Sequence, residues 1–455
     1  MYNTFGRQIK YMLKRKFYDS LLKWKKGENK KALLVKGARQ VGKTYIIHEF
    51  GTKEYESLIE INFIRSPFMK EIFSADLSAE KIYSNLTLYN PEYKLIEGST
   101  LLFLDEIQEC PNARAALKFL TMDGRYDVIA SGSLLGLSYK DVPSIPVGYE
   151  TQMTMYPLDL EEYLWAKGYD AEQINTIGSY CISMTKMPEV LNSRMEELVR
   201  EYMVVGGMPE AVQTYVDTAN FIKVDEIQHQ ILDSYHDDVS RYADAPDKPK
   251  ITKCYESIPA QLAKINKKFQ FSVVEKGSSS RKFGGSVDWL KDAGMIYICR
   301  NVSSPSYPLA AYEDPNFYKV YAADIGLLIA MYGYEMKAAV INNTISGPAK
   351  GGIYENFTAC QLASKGISLR YFKASNGDIE VEFLTEENGA VVPIEVKAKN
   401  GTSTSIKSLL NREDIPKGYK FIFGNIGQAG KMLSLPHCMT MFLPIVPKDS
   451  IKTNP

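Results

Sequence analysis

Histidine is scarce in this chain, with four residues in 455, and the six cysteines (Cys110, Cys181, Cys254, Cys299, Cys360, Cys438) stand far apart with no C-x-x-C pair among them. These absences argue against a zinc site and, at this length, against a disulfide scaffold. Long hydrophobic runs are missing as well. No stretch approaches the ~20 apolar residues that a membrane-spanning helix needs, and the basic N-terminus, MYNTFGRQIKYMLKRK, lacks the continuous apolar core of a secretory signal. The expected location is therefore the reducing cytosol, with no membrane partner. An excess of charge of either sign is also absent: 54 Lys and Arg balance 54 Asp and Glu, for a net charge of zero. That leaves no global footprint for nucleic acid or an anionic surface, although a local basic patch is compatible with a neutral total.

What is present is the composition of ordinary folded protein, 45% hydrophobic and 24% charged. The length suggests two to four domains. Residues 1–30 read as a basic amphipathic helix. Short apolar runs follow at Ala32–Lys36, Leu58–Phe63, Leu101–Leu104, Asp127–Ser131 and Thr151–Tyr156, separated by helix-like segments. That alternation predicts an α/β domain over 31–157 with a parallel sheet covered by helices. Helical spacing then dominates 158–250 up to the linker-like DAPDKPK. Residues 251–346 mix helices with short strands, and 347–455 return to αβ.

GARQVGKT, from Gly37 to Thr44, fits G-x-x-x-x-G-K-[ST], with a strand before it and a helix-like run after it. Glycine at 37 and 42 lets the backbone turn so that N–H groups of Ala38, Arg39, Gln40, Val41, Gly42, Lys43, Thr44 and Tyr45 can face phosphate oxygens at a helix N-terminus. Lys43 is placed to reach the β- and γ-phosphates of ATP, and the Thr44 hydroxyl to ligate Mg²⁺.

LLFLDEIQ, from Leu101 to Gln108, ends a buried strand on two acids, at the sheet edge where α/β ligands gather. Asp105 is expected to hold Mg²⁺, mostly through water, and Glu106 to act as the base toward the attacking water. After Asp127–Ala130 comes SGS, and Ser133 is the candidate that senses the γ-phosphate or orients water; an ordinary strand-to-loop turn is the equal alternative.

GARQVGKT, LLFLDEIQ, ASGSLLG and YPLDLEEYL, with GGMPEAV (Gly206–Val212) and YKVYAADIGLL (Tyr318–Leu328), resemble the prokaryotic AAA-type ATPases that carry a C-terminal domain of unknown function. The resemblance implies an extra strand between the phosphate-loop strand and the Asp-Glu strand. Where that family often has arginine before its fifth strand, this chain has Gly148-Tyr149. An arginine acting on the transferred phosphate has no assigned source; Arg114 and Arg241 are candidates. Oligomeric state stays open.

Helix, turn, helix and then a β pair over 271–299 has the rhythm of a winged helix, and the family resemblance agrees. There Lys276, Arg281 and Lys282 could contact DNA phosphates, or simply form a solvated face. Farther on, GDIEVEFL and VVPIEVKAK predict strands Ile379–Leu384 and Val391–Ala398. Period two sets Glu380 and Glu382 on one face of the first, and Glu395 and Lys397 together on the second. Glu355 lies on the apolar stripe of the helix Ile353–Lys365, unusual for a carboxylate without a partner. This set resembles the restriction-endonuclease-like core, which implies a second divalent metal on Glu382 and Glu395 with Lys397 steering water. Its first acid is usually Asp, whereas this chain has Glu382. Two readings follow: an ATPase coupled to a DNA-binding or DNA-cutting module, or an ATP-dependent switch whose C-terminal domains bind a protein.

Overall fold

The computed structural model describes residues 13–74, 76–133, 135, 148–374, 377, 379–398 and 403–444. Residues 1–12 of the expected N-terminal helix lie outside that set. The chain divides into two compact units, one of residues 15–156 with 292–294 and the other of the remainder.

The first unit runs α1 (Lys16–Lys25), β1 (Ala32–Lys36), α2 (Lys43–Glu54), β2 (Ser57–Asn62), α3 (Ala79–Tyr89), β3 (Thr100–Asp105), α4 (Pro111–Asp123), β4 (Asp127–Gly132) and β5 (Glu150–Thr154). The strands form one parallel sheet in the order β2-β3-β4-β1-β5. The inner strands are apolar on both faces, because helices cover both sides of a parallel sheet and neither face meets water; every residue of β3, TLLFLD, is buried. The edge strand β5 is only half-buried. The inserted strand between β1 and β3 is β4, as the resemblance implies. Parallel pairing brings the C-terminal ends of β1, β2, β3 and β4 to one edge, with Asn62 opposite Asp105 and Lys36 opposite Gly132. Across helices, Tyr18 of α1 packs edge-on against Phe50 of α2 at 5.6 Å between ring centroids.

The second unit opens with helices α5 (Leu160–Ala166), α6 (Ala171–Ile182), α7 (Glu189–Val205), α8 (Pro209–Thr218), α9 (Phe221–Tyr242), α10 (Lys248–Glu256), α11 (Ile258–Leu262), α12 (Phe271–Val274) and α13 (Ser280–Asp292). Then come β6 (Ile296–Val302), β7 (Glu313–Ala322), α14 (Ile325–Tyr332), α15 (Tyr334–Ile341), α16 (Gly347–Ser364), β8 (Arg370–Lys373), β9 (Glu380–Glu387), β10 (Ala390–Val396), α17 (Thr404–Leu410), β11 (Gly418–Ile422), β12 (Gly427–Ala429) and β13 (Met432–Pro436). These strands make one mixed sheet, β12-β13-β11-β10-β9-β8-β6-β7. After α16, strands β8, β9 and β10 form an antiparallel meander, and β11 joins β10 in parallel after α17. The hairpin β6–β7 that follows α12 and α13 pairs through β6 with β8, so the sheet runs across residue 346.

The two motifs GGMPEAV and YKVYAADIGLL meet in this unit. Asp324 caps α14 through the Leu327 N–H (2.9 Å) and also accepts the Gly207 N–H (2.6 Å). Gly206 and Gly326 touch backbone to backbone; a Cβ on Gly206 would come within 2.8 Å of the Gly326 Cα. Their role in the fold is a tight joint between helices.

Candidate functional site

The loop between β1 and α2 is shaped by its glycines. Gly42 has φ +93°, and at Gly37 (φ +151°) a Cβ would collide with the Met155 carbonyl oxygen. Lys43 donates to the carbonyls of Gly37 (2.9 Å) and Ala38 (2.8 Å), which lays its ammonium across the loop. Arg15, not singled out from the sequence, is buried and donates to the Val41 (3.0 Å) and Tyr156 (2.6 Å) carbonyls, fixing the loop from outside.

Asp105, only 1% exposed, is the hub of the site. Its Oδ2 accepts from the Thr44 hydroxyl (2.9 Å) and from Asn62 Nδ2 (2.7 Å), and its Oδ1 from the Ser131 hydroxyl. Asn62 is itself oriented by the backbone N–H groups of Ile64 (3.1 Å) and Arg65 (2.9 Å), which its Oδ1 accepts. Thus the serine that reaches the acid is Ser131; Ser133 is buried just past the end of β4. Asn62 and Ser131 were readable in principle as polar residues closing strands that flank β3. A carboxylate beside a hydroxyl, with phosphate and water left to complete an octahedral shell, is a donor set that suits Mg²⁺. Glu106 follows Asp105 in the left-handed region, φ +54°, uncommon for a residue with a side chain. Burial pushes its carboxyl above the usual carboxylate range; a hydrogen bond from Gln108 opposes this, Asp105 adds to it, and Lys43 and Arg39 oppose it. Of the arginine candidates, Arg114 is buried against Glu150 at 2.7 Å, while Arg241 lies 5.0 Å from the Tyr242 ring centroid.

The C-terminal carboxylates converge on the sheet face beneath α16. The β9–β10 register ends at Ile394 opposite Phe383, with Glu395 and Glu382 the next residues of the two strands. Glu382 accepts the Val396 N–H at 3.4 Å. Burial and the nearby Glu355 raise the Glu382 carboxyl to about 7, with Lys397 and Lys319 opposing. Lys397 pairs with Glu395 at 2.6 Å. Glu355 is held by Lys267 (2.9 Å), Lys319 (3.7 Å) and the Tyr321 hydroxyl (3.2 Å). Burial pushes Glu355 up, but the two lysines hold it below its ordinary value. Lys319, 1% exposed, also pairs with Glu380 (2.8 Å), which Lys373 engages as well (2.7 Å). Lys319 and Lys267 were not anticipated. The former sits at an inward position of a strand, where a lysine signals a buried acid; the latter gives no such signal.

This arrangement does not fit the expected second metal. Lys267, Lys319, Lys373 and Lys397 hold Glu355, Glu380 and Glu395, and Glu382 is pushed toward its protonated form, so a divalent cation would leave the cluster with excess positive charge. Among the described residues, no group of three or more His, Cys, Asp or Glu is placed to hold a metal ion, and no helix is long and apolar enough to cross a membrane.

A parallel sheet with this strand order and a phosphate-type loop facing an Asp-Glu pair defines a P-loop domain of the AAA type. In agreement, residues 29–164 match the AAA domain family, residues 196–338 a domain of unknown function (DUF8612), and residues 350–433 another (DUF4143). The chain thus carries an AAA-type P-loop domain followed by domains of unknown function. No curated protein matches it. Among solved structures, it is similar to the Walker-type ATPase PABY2304 of Pyrococcus abyssi (16% identity over 70% of this chain and 96% of that one, TM-score 0.43). It is also similar to the Aeropyrum pernix ORC1 protein in complex with DNA (14%, 72% and 92%, TM-score 0.29) and to AMPPCP-bound DnaA from Aquifex aeolicus (10%, 63% and 90%, TM-score 0.29).

Proposed function

We propose that this chain binds and hydrolyses ATP with Mg²⁺ and uses nucleotide state to switch a C-terminal module that recognises a protein and cuts no nucleic acid. The observation that carries the first part is the meeting of Thr44 and Asp105 at 2.9 Å, with Lys43 and Glu106 flanking them. Backbone N–H groups from Ala38 to Tyr45 cradle the phosphates, and Lys43 neutralises the β- and γ-oxygens. Thr44 and Asp105 hold Mg²⁺, which supplies charge neutralisation to the phosphates. Glu106 takes the proton of the attacking water. Ser133 senses the γ-phosphate or orients water, while Ser131 orients Asp105. Calorimetric titration with ATP and Mg²⁺ tests this part: wild type binds and Lys43→Ala does not. Equal affinity in the two would refute it.

The second part rests on the lysines. The order α16, β8–β9–β10, α17, β11 supports a restriction-endonuclease-like ancestry for 347–455, yet Glu355, Glu380 and Glu395 are engaged by lysines and Glu382 is raised toward its protonated form. In the winged-helix-like region, Lys282 and Lys253 both pair with Glu275, at 2.5 and 2.7 Å, which blunts a DNA-facing charge. Incubation of the full chain with DNA and Mg²⁺ or Mn²⁺ is expected to yield neither retardation nor cleavage. Mn²⁺-dependent cutting that disappears in Lys397→Ala would establish the nuclease reading instead.

A further inference from the structure

Gln108 stands two residues beyond the base and has no role in the account above. Its Nε2 donates to Glu106 Oε2 at 2.6 Å. An ionised carboxylate only accepts, so the amide edge facing Glu106 must be the NH₂ edge, and the carbonyl Oε1 must point away. That Oε1 is buried and has no hydrogen-bond partner among the described residues. A buried acceptor left unmatched is costly, and native folds seldom retain one without use. Its direction is given by Gly132: a Cβ there would collide with Gln108 Oε1. Gly132 ends β4 and lies opposite Lys36, the last residue before the phosphate loop. The side chain of Gln108 therefore spans from the base to the strand end beside the loop, and a glycine at 132 is what leaves it room.

We infer that Gln108 is a positioning residue for hydrolysis, which fixes Glu106 through its NH₂ edge from a seat that Gly132 leaves open. This rests on the ATPase reading. In the step it serves, the water oxygen bonds to the γ-phosphorus as the bond to the bridging oxygen breaks. The water's proton passes to Glu106, and ADP carries the electron pair of the broken bond. With one Glu106 oxygen held by Gln108, the carboxylate is kept in one orientation toward the water, an orientation effect.

The test uses the full chain and compares wild type, Gln108→Met, Gly132→Ala, Glu106→Gln and the double variants. Gln108→Met keeps the shape and removes both polar atoms. Its kcat is expected to fall about 10-fold or more, while KM stays within about threefold. Its Kd for AMPPNP with Mg²⁺, read by calorimetry, is expected to match wild type. Gly132→Ala displaces the Gln108 side chain, so it is expected to lower kcat similarly and to add little on top of Gln108→Met. In the Glu106→Gln background, Gln108→Met is expected to add less than about twofold. Unchanged kcat in Gln108→Met, or a Kd that weakens in step with kcat, overturns the inference, and so do losses that multiply in the Glu106→Gln background. A wild-type chain that binds no AMPPNP overturns the ATPase reading along with it, whereas binding and turnover unaffected by Gln108→Met overturn this inference alone.

Discussion

Thr44 donates its hydroxyl to Asp105 over 2.9 Å, joining two segments 61 residues apart in the chain. The same carboxylate is fixed by Asn62 and Ser131, so a cation held between Thr44 and Asp105 would meet a preset oxygen. Asp105→Asn removes the charge and keeps the shape. It is expected to raise the Mg²⁺ concentration that half-saturates ATP hydrolysis by about tenfold or more, with Asn62→Ala giving a smaller rise. Magnesium titrations of turnover check this, and an unchanged Mg²⁺ requirement in Asp105→Asn would contradict it.

Lys319 neutralises Glu355 and Glu380 at once inside the second unit. Lys319→Met leaves buried Glu355 and half-buried Glu380 with one lysine each, and the expected loss of stability is about 3–5 kcal/mol, the size seen when one partner of a buried ion pair is removed. A second change, Glu380→Gln, should recover part of it. Urea unfolding of the three variants measures both; a Lys319→Met chain as stable as wild type would show that the lysine is dispensable.

Glu382 carries a pH signature. Its carboxyl is raised to about 7 by burial and Glu355, from an unfolded value of 4.5. Between those values the folded state binds more protons than the unfolded one, so this group's contribution is complete below the unfolded pKa and is lost as pH rises to about 7. Glutamine mimics the protonated form. Glu382→Gln is therefore expected to gain stability over wild type at pH 8, on the order of 2 kcal/mol, and to gain little at pH 4. Denaturant unfolding at the two pH values decides, and a benefit larger at low pH would reverse the sign.

The phosphate loop, the Asp-Glu strand and all five strands of the first unit were legible because each rests on local pattern: apolar runs, glycine at turns, acids at a strand end. The antiparallel pairing of the two strands that carry Glu382 and Glu395 was legible too, since a short turn and period two define the register. Lys267, Lys319 and Arg15 were not, because a buried cation is explained only by acids or carbonyls that are remote in sequence. Ser131 and Ser133 lie two residues apart at the end of β4, and pattern alone does not show that Ser131 is the one that reaches Asp105. The role of GGMPEAV and YKVYAADIGLL as two halves of one joint also needed the fold, where Gly207 meets Asp324.

The central claim is that Glu106 performs the chemistry at a site assembled by Lys43, Thr44 and Asp105. Phosphate release from ATP by Glu106→Gln, measured beside calorimetric ATP affinity of the same protein, tests it most directly. ATP is expected to bind at wild-type strength while turnover falls by roughly 10²-fold or more. Wild-type turnover in Glu106→Gln would contradict it.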